Sequence, residues 1–247
     1  MRPKAHARSR SLFFGDRAFP PDRTDRPVFP RGDAPPARMT QHFPVVFSRR
    51  FLVKYFDFEI CGLKRKLPYV RVADNLALAS FVCLSDTELV QTVAPELVKR
   101  LPEVDVLMTA EAKGICLTYE MSRIMGMKEF VVARKSKKPY MQNAICFSAR
   151  SVTTQKEQTL WLDGVEAEKI RGKRVALIDD VIATGESLAA IENLALAAGA
   201  NVVARAAILA ELEAVDRKDI IYLKEHYVFR PNEDGTFTPI KSLKEVE

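Results

Sequence analysis

Thirteen residues, Val175 to Ser187, read VALIDDVIATGES and limit the possible folds more than any other stretch of the chain. Val175 to Ile178 are a short apolar run, the pattern of a strand buried on both faces of a parallel sheet. Asp179 and Asp180 follow at its carboxyl end, the edge where open α/β sheets place ligands. Ala183, Thr184, Gly185, Glu186 and Ser187 then turn the chain into a helix predicted to run to about Ala198. Gly185 permits close backbone approach, and the free amides and dipole of a helix start favour an anion. Thr184 and Ser187 add hydroxyl donors. An ordinary N-cap at those two residues is the competing reading, and Glu186 is most simply a charge complementing the dipole. Successive strand residues face opposite sides, so a covered sheet buries at least one acid without an evident partner. A polyol or a metal ion at the strand end removes that cost.

The run resembles the phosphoribosyl-diphosphate signature of the type I phosphoribosyltransferases: mostly apolar residues, two acids, then a small-residue turn with Thr and Gly. The resemblance implies that Asp179 and Asp180 hold the ribose hydroxyls. It likewise implies that the turn Ala183, Thr184, Gly185, Glu186 and Ser187 holds the 5′-phosphate. A Walker-type loop is a different device, and no GxxxxGK[ST] occurs in the chain.

Two more loops extend the resemblance. Val104 to Thr109 reads as a second buried strand, followed by Ala110, Glu111, Ala112, Lys113 and Gly114. This is similar to the diphosphate loop of adenine phosphoribosyltransferases, which implies that Lys113 meets the diphosphate while Glu111, Ala112 and Gly114 shape the loop. Arg is frequent in the family where Lys113 stands, so a point charge replaces a bidentate fork. The family loop can also hold a non-proline cis peptide. Phe130 to Ala133 reads as a third strand, ending in Arg134-Lys135-Ser136-Lys137-Lys138. A solvated loop has this composition too, but the comparable Arg-Lys of purine enzymes implies Arg134 and Lys135 as diphosphate ligands. Ser151 to Glu157 stands where the family has a mobile flap; Lys156 and Glu157 are either flap groups or residues of an ordinary hairpin tip.

Charge and composition narrow the function further. The net charge of +6 is concentrated in residues 1–38, where nine Lys/Arg face four Asp; the remainder carries twenty-nine bases and twenty-eight acids. A nearly neutral folded part argues against a nucleic-acid face. The first 38 residues hold seven of the fourteen prolines and no apolar periodicity, so residues 1–38 are read as a disordered tail and 39–247 as the domain. Met39 is the alternative start, a reading that an intact-mass measurement on native protein beginning at Met1 rejects. No apolar stretch reaches the roughly 20 residues needed to span a bilayer, and the resemblance implies a cytoplasmic enzyme. The four cysteines, Cys61, Cys83, Cys116 and Cys146, have no paired spacing and are expected to be reduced and mostly buried. His6, His42 and His226 form no ligand-spaced cluster, so the expected cation is a hard one bound mostly through substrate oxygens and water, and Mg²⁺ fits a diphosphate substrate.

Elsewhere, Phe56 to Val72 reads as a hairpin turning near Gly62, with Pro68 suiting an edge, and contributes a hood over the base. Phe81 is either a stacking residue there or, more simply, core. Asp86 to Arg100 and Ile115 to Met125 have helical spacing. Ala144 to Phe147 and Thr159 to Leu162 read as a strand pair, and Asn201 to Ala210 and Ile220 to Leu223 as further strands. The expected fold is α/β: a mainly parallel twisted sheet flanked by helices, with a small β hood. By resemblance, Asp179, Asp180 and Lys113 are the catalytic set, phosphoribosyl diphosphate and a purine base the partners, and a homodimer the assembly. Leu209-Ala210-Glu211-Leu212 lacks the lysine with which xanthine enzymes meet an oxygenated purine, which favours adenine. A hypoxanthine or xanthine enzyme and a non-catalytic phosphoribosyl-diphosphate-sensing regulator remain as alternatives.

Overall fold

The computed structural model of the chain describes residues 53–150 and 157–245. The tail 1–38, the start at Met39 and the flap up to residue 156 therefore lie outside the described residues. In chain order the elements are β1 (Tyr55–Ile60), β2 (Leu63–Ala73), β3 (Leu76–Ala79), α1 (Thr87–Val98), β4 (Val106–Ala110), α2 (Ile115–Ile124), β5 (Val131–Ala133), β6 (Ile145–Arg150), β7 (Glu157–Leu162), α3 (Gly164–Ile170), β8 (Arg174–Ile182), α4 (Glu186–Ala197), β9 (Asn201–Ala210), β10 (Ile221–Glu225), β11 (Val228–Pro231) and β12 (Phe237–Ile240).

The continuous apolar runs become the central sheet, ordered β10-β9-β8-β4-β5, with every pairing parallel. Strand periodicity divides its interior in two. Ala176 and Ile178 of β8 join Leu89, Val93, Leu97, Leu117 and Met121 of α1 and α2. Val175 and Leu177 point the other way, to Ile170 of α3 and Leu188, Ile191 and Leu194 of α4. All four of these β8 side chains are fully buried. Each large aliphatic side chain buried in this way contributes about 1.5–3 kcal/mol over an exposed one.

Strand β8 runs further than the apolar run suggests. Its pairing with β9 continues through Asp179↔Ala207, Val181↔Leu209 and Ile182↔Ala210. Its pairing with β4 ends at Ile178↔Thr109. The two acids therefore lie beyond the last β8–β4 pair, with ladder pairing continuing on the β9 side only. That leaves an open notch between β8 and the loop leaving β4.

The hood is larger than a hairpin. It is a five-stranded antiparallel sheet, β1-β2-β3-β11-β12, made from the amino-terminal and carboxyl-terminal thirds of the described chain. Phe81 packs on Phe58 with ring centroids 5.6 Å apart and is buried, as a core residue. The edge placement of Pro68 is corrected, because β2 is flanked by β1 and β3. Its carbonyl accepts the Ser80 N–H at 2.9 Å just past the end of β3, so Pro68 still contributes one ladder bond without an N–H of its own. Asp86 caps α1 by accepting from Leu89 N–H at 3.1 Å, and it also receives Arg65 of β2 at 2.8 Å. One carboxylate thus ends a helix and ties the hood to the core. The cysteine expectation is half corrected: all four are free thiols, but Cys61 and Cys146 are exposed.

Candidate active site

The loop that leaves β4 is held by its own glycine. A Cβ on Gly114 would run into Thr109 Oγ1, and it would stand 3.3 Å from the Ile178 carbonyl and 3.5 Å from Asp179 Cα. Only glycine lets the start of α2 pack this tightly against β8. The peptide between Glu111 and Ala112 is cis, the form the family resemblance allows. The loop carries Lys113 across the notch, placing its Nζ 3.2 Å from Asp180 Oδ2. That oxygen is buried and makes no aligned hydrogen bond, while the Asp180 N–H donates to Asp179 Oδ1 at 2.9 Å. Asp180 is 4% exposed and is the acid whose burial strand alternation required. Its orphaned oxygen is what a hydroxyl or a hydrated cation would satisfy.

Asp179 is electrostatically poised. Burial first, and then the neighbouring Asp180 charge, push its carboxyl up to about 7. An unfolded aspartate titrates near 3.9, so the folded chain binds the extra proton between these values. This contribution to stability is complete below about pH 4 and is lost as pH rises through about 7. The ligand-free Asp179→Asn variant should therefore match the wild-type Tm near pH 4 and exceed it by a margin that grows as pH rises and is largest at pH 8. The gain is worth roughly 2–4 °C for each kcal/mol recovered. A Tm difference that stays constant from pH 5 to pH 8 would refute this account.

Glu111 organises the basic turn. Its carboxylate accepts the Lys135 N–H at 2.9 Å and faces Arg134 Nη1 at 3.3 Å and Lys138 Nζ at 3.9 Å. The Lys135 amide, helped by the charges of Lys138 and Arg134, holds Glu111 below the usual carboxylate range against the opposing effect of burial. Arg134 also exchanges two backbone hydrogen bonds with Trp161 of β7. A cavity of about 240 Å³ then collects Glu111, Ala112, Lys113, Lys135, Asp179, Asp180 and Ser187. The Arg134 side chain is turned to Glu111 and does not line this cavity, so of the predicted basic pair Lys135 alone faces it.

The turn after β8 forms a second cavity, of about 120 Å³, lined by Asp179 and by Ala183 through Ser187. Gly185 is the N-cap of α4 in the left-handed region, at φ 81°, with no side-chain cap. The N-cap role weighed for Thr184 is not adopted. First-turn amides left without a side-chain acceptor suit an anion.

Three neighbours carried no motif. Arg217, after the turn that follows β9, packs on Gly185 so closely that a Cβ there would lie 2.6 Å from its Nη1. Glu211, the first residue beyond β9, is pushed up to about 7, chiefly by burial, with Asp180 adding to the rise and Lys113 opposing it. His226 joins the two sheets: its N–H donates to the Ala210 carbonyl at 2.8 Å and its Nε2 to the Ala79 carbonyl at 2.8 Å. Burial lowers its pKa and keeps it neutral. The position of Glu211 at the carboxyl end of a core strand was the one available signal; nothing local marks Arg217 or His226.

Residues 91–229, more than half of the chain, match the model of the phosphoribosyl transferase domain. The chain belongs to that family. The chain is similar to the adenine phosphoribosyltransferase of Nocardia farcinica, with 34% identity over 146 residues that make up 59% of this chain and 71% of the relative. It is also similar to the hypoxanthine/guanine phosphoribosyltransferase of Methanothermobacter thermautotrophicus, 35% identical over 109 residues, or 44% and 52% of the two chains. Among solved structures, the adenine phosphoribosyltransferase of Thermoanaerobacter pseudethanolicus aligns with a TM-score of 0.51 at 20% identity, covering 70% of this chain and 95% of that one. The parallel sheet with its antiparallel hood is thus the type I phosphoribosyltransferase fold, and the chain is a pentosyltransferase of that family.

Proposed function

We propose that this phosphoribosyltransferase moves ribose-5-phosphate from phosphoribosyl diphosphate to a purine ring nitrogen, with adenine preferred, releasing diphosphate. The observation that carries the reading is the single cavity in which Lys113 and Lys135 stand opposite the acid pair Asp179–Asp180, beside the uncapped turn Ala183–Ser187. In this reading the turn takes the 5′-phosphate and the acids take the ribose hydroxyls. Lys113 and Lys135 stabilise charge on the departing diphosphate. The acids also favour positive charge growing at the anomeric carbon. Glu111 positions the basic turn by holding the Lys135 backbone and Arg134. Water exclusion matters because hydrolysis competes with transfer.

Among the described residues no three His, Cys, Asp or Glu side chains cluster as metal ligands, whereas the orphaned Asp180 oxygen borders the sugar site. That donor set fits Mg²⁺ carried in by the diphosphate and water, which the Asp180 carboxylate would help to hold. When bound, it would supply charge neutralisation to the leaving group. Adenine is favoured because residues 209–212 offer no lysine to a 6-oxo group. A homodimer working in the cytoplasm, without nucleic acid or membrane as partner, completes the proposal. The near-neutral charge of residues 39–247 supports leaving nucleic acid out, and among the described residues no helix is long and apolar enough to cross a membrane.

The test is diphosphate release from phosphoribosyl diphosphate with adenine, hypoxanthine, guanine, xanthine and orotate in turn. Adenine is expected to give the highest kcat/KM. A higher value for a 6-oxopurine would move the base assignment. No turnover with any base, alongside tight phosphoribosyl-diphosphate binding, would replace the enzyme by a regulator.

A further inference from the structure

Two of the four cysteines meet behind the diphosphate loop. Cys83 lies in the segment joining β3 to α1, and Cys116 is the second residue of α2. Their sulfurs are 3.9 Å apart although 33 positions separate them in the chain. Both address one acceptor: the Cys83 Sγ donates to the Lys113 carbonyl at 3.3 Å, and the Cys116 Sγ lies 3.7 Å from that same oxygen. A cavity of about 260 Å³ between α1 and α2 reaches the pair, and Cys83, Ser85, Val90, Cys116 and Tyr119 are among its walls. Cys83 is fully buried and Cys116 partly exposed. Burial raises the Cys83 thiol, the largest of several causes, so it stays protonated.

We propose that Cys83 and Cys116 form a dithiol that a small peroxide entering this cavity converts to a disulfide, and that closure weakens the grip on the diphosphate end of the donor. Cys116, the more accessible, reacts first with hydrogen peroxide: its thiol gives up a proton, the sulfur attacks one peroxide oxygen, the O–O bond breaks, and the departing hydroxide takes up that proton, leaving a sulfenic acid and one water. The Cys83 sulfur then attacks the Cys116 sulfur, the S–O bond breaks, and a second water leaves with the Cys83 proton. Two thiols and one peroxide become one disulfide and two waters. The sulfurs close to about 2.05 Å, and neither retains a hydrogen for the Lys113 carbonyl. Lys113 is the residue whose ammonium faces Asp180, so the change reaches the site through that residue's own backbone. The modification stands on the thiol geometry, whereas its effect on the donor rests on the transferase reading.

The experiment treats the full chain with hydrogen peroxide, alkylates remaining thiols under denaturing conditions and maps the peptides by mass. It also measures phosphoribosyl-diphosphate affinity before and after. The expected product is a peptide pair joined through Cys83 and Cys116, two hydrogens lighter than the separate peptides. Affinity should fall at least fivefold and return with dithiothreitol. Cys83→Ala and Cys116→Ala should each keep their affinity through the treatment, and the exposed pair changed together as Cys61→Ser/Cys146→Ser should remain sensitive. Full alkylation of Cys83 and Cys116 after peroxide would overturn the modification. Unchanged affinity in the linked protein would overturn the coupling. If the reduced protein binds no donor, the transferase reading fails while the mass map still decides the modification.

Discussion

Asp180→Asn is expected to lower kcat for phosphoribosyl transfer by roughly 10²–10³-fold, the loss typical when one preorganised charged or polar group leaves a site. Thermal stability should hold or rise, because losing the Asp180 charge also relieves Asp179. In the ligand-free chain the Asp180 Oδ2 is buried without an aligned donor, 3.2 Å from a lysine whose side chain is half exposed. Such an ion pair contributes little to stability, because water screens the lysine. A neutral amide of the same shape therefore removes charge from the reaction centre and leaves the packing of β8 intact. Steady-state kinetics with a saturating purine, beside a melting curve, separates the two effects. Near-normal turnover in Asp180→Asn would remove the acid from the mechanism.

Gly114→Ala should have the second large effect, this time on both stability and binding. The added methyl meets the buried Thr109 side chain and the β8 backbone at Ile178 and Asp179. Overpacking of this kind costs about 1–3 kcal/mol. The φ of Gly114 is −72°, so crowding is the whole cause and backbone strain has no part. Relief comes by pushing the start of α2 outward and taking Lys113 with it, so phosphoribosyl-diphosphate affinity should fall at least tenfold. Thr109→Ala added to the same chain should restore part of both losses, since Thr109 Oγ1 is the nearest obstacle. Isothermal titration checks the affinities. Wild-type affinity in the single variant would show that the loop does not depend on this contact.

The parts of the fold legible in the sequence were those in which local pattern and tertiary role coincide. Asn201–Ala210 was read as a strand with the bounds that β9 has, because a buried parallel strand is apolar along its whole length. The helical spacing read over Asp86 to Arg100 became α1, Thr87–Val98. The hood's returning strands gave no such signal. Val228–Pro231 and Phe237–Ile240 are four residues each, the second contains Pro239, and β11 becomes a strand by pairing with Leu78 and Ala77, far back in the chain. Residues that owe their conformation to a distant partner leave little trace in their own neighbourhood. The same holds in the site. The acids, Lys113 and the phosphate turn sit in recognisable runs, whereas the closeness of Arg217 to Gly185 and the facing of Cys83 and Cys116 exist only once the strands are ordered.

The acid pair belongs to the middle strand of the five-stranded parallel sheet, with two strands on either side. Central strands of this kind open last, near the free energy of global unfolding, whereas loops and edges open locally at little cost. On the proposed reading, a donor seated on Asp179 and Asp180 would be anchored to one of the most persistent parts of the molecule. Its binding energy adds to the stability of the whole core and is not spent on quieting a loose rim.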